Sequence, residues 1–169
     1  MRHPPVIWEP VYVASGFEQR TIEGLRAAID ALPKGTADLQ VGRPPKVTEA
    51  LFPSFLVTPA NPRSAPIEGV ILDGQVELRV GHSGTAELWG GRNPEQQARA
   101  RQKFYAICNA VFTTHFSEEV DFDLRNRVLR SRLVLVVNGE EIKLGINLLI
   151  ARLCRRTHKK EVYAYEPYY

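Results

Sequence analysis

No stretch of this chain approaches the roughly 18 to 20 consecutive apolar residues that cross a bilayer, so the sequence predicts no transmembrane helix. Its first residues, MRHPPVIWEPVYVASG, hold one arginine and no continuous apolar run, and Pro4 and Pro5 interrupt them early; no secretory leader is expected. Cysteine is scarce. Cys108 and Cys154 both fall within apolar helical patterns, and their separation matches neither a zinc site nor a redox pair, so both read as buried free thiols. That usage predicts a reducing, cytoplasmic setting. Signatures of chemistry are missing too. There is no G-x-S-x-G elbow, no G-x-x-x-x-G-K-[ST] phosphate loop and no G-x-G-x-x-G fingerprint. Helix-turn-helix, RNP, KH and zinc-finger patterns are absent as well. No cofactor and no metal is implied.

What is present has ordinary globular proportions. Hydrophobic residues at 44% and charged residues at 24% exclude a disordered chain, and 169 residues suit one domain over 1–169. The net charge of +3 conceals an asymmetry. Between Arg125 and Lys160, ten basic residues stand against only Glu140 and Glu141, enough for a local positive field.

The pattern predicts an α+β fold of antiparallel hairpins, a meander with about three helices packed on the sheet. Val6–Ala14 reads as a first strand. Ser15 and Glu18 form a capping box ahead of a helix whose stripe is Ile22, Leu25, Ile29 and Leu32, ended by Pro33-Lys34-Gly35. Residues 36–67 read as a proline-rich connecting segment inside the domain, with short strands near 37–41 and 55–58. Asp73-Gly74 predicts a type I′ hairpin joining EGVIL to QVELRV, and His82-Ser83-Gly84 turns into TAELW. Asn93-Pro94-Glu95-Gln96 starts a second helix running to about Thr114, with Phe104, Ile107, Cys108, Val111, Phe112 and His115 on its buried side. EEVDFDL alternates as a strand, with Val120, Phe122 and Leu124 inward. RSRLVLVV-Asn138-Gly139-EEIKL is a hairpin, and Leu133–Val137 looks covered on both faces. Ile146, Leu149, Ile150 and Leu153 define a third helix, and VYAY at 162–165 a last strand.

Four constellations could carry chemistry. Arg130 and Arg132 share a strand face; Arg152, Arg155 and Arg156 lie off the apolar stripe of the third helix, with Lys159 and Lys160 beyond. Their guanidinium groups suit phosphate, and Tyr163, Tyr165, Tyr168 and Tyr169 offer stacking faces, which together point to RNA or single-stranded DNA. A solvated helix face and tyrosines packed on a sheet edge explain the same residues. His115 with Glu118, Glu119, Asp121 and Asp123 could hold a divalent metal, although strand alternation and a helix-end histidine also place them. Cys108 sits where desolvation silences a thiol, and His82 beside Ser83 is ordinary turn composition. Trp89-Gly90-Gly91-Arg92 leads into a capped helix start, where Arg92 is the choice for an anion contact.

Each catalytic possibility thus has a simpler structural explanation. The sequence favours a non-catalytic binding protein that acts through a protein partner, one of acidic character if the basic segment meets it. Bacterial immunity proteins, which neutralise a cognate toxin, share this small, motif-poor profile without a shared motif. Trp8, Trp89 and the C-terminal tyrosines are the candidate anchors. Nucleic-acid binding through 125–160 is the alternative, and oligomeric state is not set by the sequence.

Overall fold

The computed structural model describes residues 16–42, 54–137, 139–145 and 157–169. Two helices and nine strands make up the described residues. Helix α1 (Gly16–Asp30) buries Phe17, Thr21, Ile22 and Leu25, residues spaced three to four apart on one side. Helix α2 (Pro94–Thr113) starts as its composition predicts: Asn93 accepts from the amides of Glu95 at 2.9 Å and Gln96 at 3.4 Å, with proline at the first turn. It buries Phe104, Ile107, Cys108, Val111 and Phe112, and Tyr105 ties it to α1 by donating to the Arg20 carbonyl at 2.9 Å.

Five strands form an antiparallel meander in sequence order: β1 (Ala37–Gly42), β2 (Ser54–Pro59), β3 (Ile67–Leu72), β4 (Gln75–Val80) and β5 (Gly84–Trp89). A second, four-stranded antiparallel sheet has the order β8-β7-β6-β9, built from β6 (Phe116–Phe122), β7 (Val128–Val137), β8 (Glu140–Leu144) and β9 (Lys159–Tyr165). One cluster of buried apolar side chains joins both helices to the inner faces of both sheets, from Phe17 and Leu25 through Phe55, Val76 and Phe104 to Leu133 and Leu135. Phe55 meets Phe104 edge-on at 5.5 Å, so the meander packs directly on α2. The C-terminal residues close the far end: the Tyr168 ring lies 4.8 Å from Phe112 and its hydroxyl donates to the Ala65 carbonyl at 2.7 Å.

The α+β class is therefore observed, with several differences in detail. The strands divide into two sheets, the second one beginning after α2 as the alternation of EEVDFDL and the Asn-Gly hairpin suggest, with β9 added beside β6. The proline-rich segment contributes β1 and β2 as full members of the meander, with Ala37 opposite Pro59 at its margin. The Asp73-Gly74 turn has a positive φ at Gly74 alone, which rules out type I′. Strand β7 is interior in order, yet its outer side is open, with Val136 57% exposed. His115 lies past the end of α2 and is exposed instead of core-facing, and Leu124 falls beyond β6 and is exposed too. Two helices are described; the third, expected over 146–153, lies outside the described residues, as do the expected strand at 6–14, Ser15 of the capping box and Asn138. Among the described residues no helix is long and apolar enough to cross a membrane.

Candidate functional site

Strand register sorts the polar residues onto three surfaces. On the outer face of the second sheet, Arg130 stands opposite Asp121 and Arg132 opposite Glu119, while Lys160 of β9 lies opposite Asp121 on its other side. Lys160 reaches Glu119 at 3.0 Å, and this hydrogen bond holds the Glu119 carboxyl below its usual range, with Arg132 and Arg130 adding to the effect. Part of the basic surplus counted along 125–160, the three cations Arg130, Arg132 and Lys160, thus lies beside two carboxylates of β6, which a count along the chain leaves out. Arg152, Arg155 and Arg156 lie outside the described residues, as does Trp8.

Tyr163 and Tyr165 point the other way. They pair with Glu118 and Phe116 and so lie on the inner side of β9, across the sheet from Arg130, Arg132 and Lys160. Tyr165 packs on Phe116 at 5.1 Å, and burial, then the charge of Glu118, pushes its hydroxyl up, so it stays protonated. Tyr163 stacks on His82 at 4.9 Å, with its hydroxyl donated to Glu161, which pushes its pKa up to about 12. Lys159 pairs with that same Glu161. His82, Phe122, Asn126 and Tyr163 frame a hollow of about 290 Å³ there, open to solvent. Among the described residues, Arg130 and Arg132 lie on the opposite face of the sheet from Tyr163 and Tyr165.

The proposed metal cluster divides in the same manner. Glu119 and Asp121 are on the outer face and Glu118 on the inner, while Asp123 accepts from the amides of Arg125 at 2.8 Å and Arg127 at 2.9 Å, shaping the turn into β7. Among the described residues no group of metal-ligating side chains converges. Glu118 itself is fully buried. Its two oxygens accept from the amides of His82 and Ser83, each at 2.8 Å, from the Ser83 hydroxyl at 2.9 Å and from the Tyr165 hydroxyl at 3.2 Å. Ser131 adds a bond to the Ser83 carbonyl at 2.9 Å. Gly81, at φ 66°, lets the β4–β5 turn fold down onto this carboxylate; a Cβ there would lie 2.7 Å from the Tyr165 hydroxyl oxygen. The Ser83 hydroxyl is donated to a structural acceptor, and the Cys108 thiol is buried and pushed up, so neither is set as a nucleophile.

No family model, no curated protein and no solved structure matches this chain. Function must therefore be argued from the surface alone.

The third surface is the outer face of the meander, the wet side that the alternation of Gln75, Glu77 and Arg79 with Val76, Leu78 and Val80 predicts. Register places Glu68 beside Arg79 and Thr85 in one row, Val70 beside Glu77 and Glu87 in the next, and Leu72 beside Gln75 and Trp89 in a third. A hollow of about 580 Å³ opens across it, lined by Val70, Glu68, Glu77, Arg79, Thr85 and Glu87 among others. Both described helices pack on the opposite side, where the core lies. Trp89 is 69% exposed at the end of this face, its indole nitrogen 3.5 Å from Glu87. Arg92 is exposed in the turn that follows. What the alternation does not give is the register, which sets Glu87 beside Glu77 and Trp89 beside Gln75.

Proposed function

We propose that this protein is a non-catalytic binding protein acting through a protein partner, with the outer face of the meander as its contact surface. Exposed Trp89 carries the reading. A tryptophan left 69% open on a sheet face loses the burial that ordinarily favours it, and large aromatics are enriched among the residues that anchor protein interfaces. Support also comes from the inner polar groups: Glu118, Ser83 and Tyr165 spend their hydrogen bonds on each other and on the β4–β5 turn. Immunity-type neutralisation of a bacterial toxin, with the toxin as partner, is one form that such a function takes, and it rests on profile alone.

A photo-crosslinking residue at position 89 tests this in cells of the source, against the same residue at Arg99 on the exposed side of α2. A single adduct from position 89, absent from position 99, is expected. Equal patterns from the two positions, or none from either, would contradict the reading.

A further inference from the structure

We infer that the partner presents a cationic segment, lysine- or arginine-bearing, to the hollow on the outer face of the meander; this rests on the protein-binding reading above. Among the described residues four carboxylates project from that face, Asp38, Glu68, Glu77 and Glu87, against one arginine, Arg79. Arg79 is already paired with Glu68. Glu77 and Glu87 stand directly opposite each other on neighbouring strands. Like charges in that position repel across about 5 Å and destabilise a sheet, so local structure does not account for the arrangement. The nearest donors are neutral: Gln75 donates to Glu77 at 3.0 Å, and the Trp89 indole reaches Glu87 at 3.5 Å. These bonds orient the two carboxylates without neutralising them. A cationic side chain lying between them would relieve the repulsion, with its aliphatic stem over Val70 and its neighbours against Trp89.

Among the described residues the surface therefore combines Val70, an exposed tryptophan at the end of the face and a pair of facing glutamates without an ion pair, and charge complementarity selects the occupant. It also runs against the expectation of an acidic partner, which assumed a free basic surface on 125–160; of the described cations there, Arg127 pairs with Asp123, Lys143 with Glu141, Lys159 with Glu161 and Lys160 with Glu119, and Arg130 and Arg132 stand opposite Asp121 and Glu119. A second copy of the chain would have to dock its basic half here. Such a contact is head-to-tail and continues from copy to copy, whereas a separate cationic partner closes it.

The probe is a fluorescein-labelled heptapeptide alternating lysine with valine, with the glutamate–valine peptide as control, titrated against the full chain and followed by anisotropy. The expected result is saturable binding of the lysine peptide alone, weakening as salt rises from about 50 to about 300 mM. Glu77→Gln with Glu87→Gln should weaken binding roughly tenfold, while Glu140→Gln with Glu141→Gln, the same charge change on β8, leaves it unaltered. The first double variant should also melt no lower than the parent, because it removes a repulsion. Equal loss in both double variants, no binding of the lysine peptide, or a clear fall in melting temperature for Glu77→Gln with Glu87→Gln would overturn the inference. So would a concentration-dependent rise in mass that the first double variant abolishes, which assigns the face to self-association. If the crosslink from position 89 persists while any of these holds, the protein-binding reading stands and only the cationic partner falls.

Discussion

Among the described residues, four carboxyl groups are held below their usual range. Asp123 is held below its usual range chiefly by the Arg127 amide, with the Arg125 amide and the Arg127 guanidinium adding to it. Glu119 is lowered by Lys160, Glu161 by Lys159 and then Tyr163, and Glu166 by Asn61 and then Arg63. Groups depressed in the folded state bind fewer protons there than in the unfolded chain, so the stability they contribute is complete above the ordinary carboxylate range near pH 4 and lost as pH falls through their folded values. Melting temperature is expected to be flat from about pH 7 to about pH 5 and to drop below about pH 4, with a shallower drop in Asp123→Asn. A melting temperature that rises on acidification would show the sign to be wrong. Because the other three pairs are exposed, added salt should blunt their share.

At the scale of elements, much was legible because local signals were strong and redundant. The start of α2 combines an asparagine cap with a first-turn proline, and the structure shows both in place. The β7–β8 hairpin pairs Val137 with Glu140, as its flanking alternation requires. What was not legible depends on partners distant in sequence. Glu118 reads in the sequence only as one of the carboxylates near His115, although it shares the inward parity of Val120 and Phe122, and nothing local says that a turn 35 residues earlier supplies its donors. Arg130 and Arg132 read as a positive stripe for the same reason: their carboxylates come from β6 across a pairing that only register reveals. The turn itself gives an element-scale prediction. Gly81→Ala puts a side chain at a positive φ and against Tyr165, and should cost about 1–2 kcal/mol in thermal or urea unfolding. A change below a few tenths would mean the turn relaxes freely and is not pinned by Glu118.

For the molecule as a whole, the two sheets are held together by helix α2, by the shared apolar cluster and by one buried carboxylate, with Gly145 of the second sheet also donating to Thr85 of the first at 3.1 Å. Polar groups directed inward serve architecture, while the outward parity of β4 and β5 leaves Glu77, Glu87 and Trp89 available. This division of labour is the central claim, and Glu118→Gln tests it most directly. The amide keeps the side chain's shape but replaces one acceptor with a donor facing buried donors, each of which costs roughly 1–3 kcal/mol when unsatisfied. The variant should melt well below the parent, while the crosslink from position 89, measured below that melting temperature, keeps its full yield. An unchanged melting temperature together with loss of the crosslink would contradict the account, because Glu118 would then be serving the activity rather than the fold.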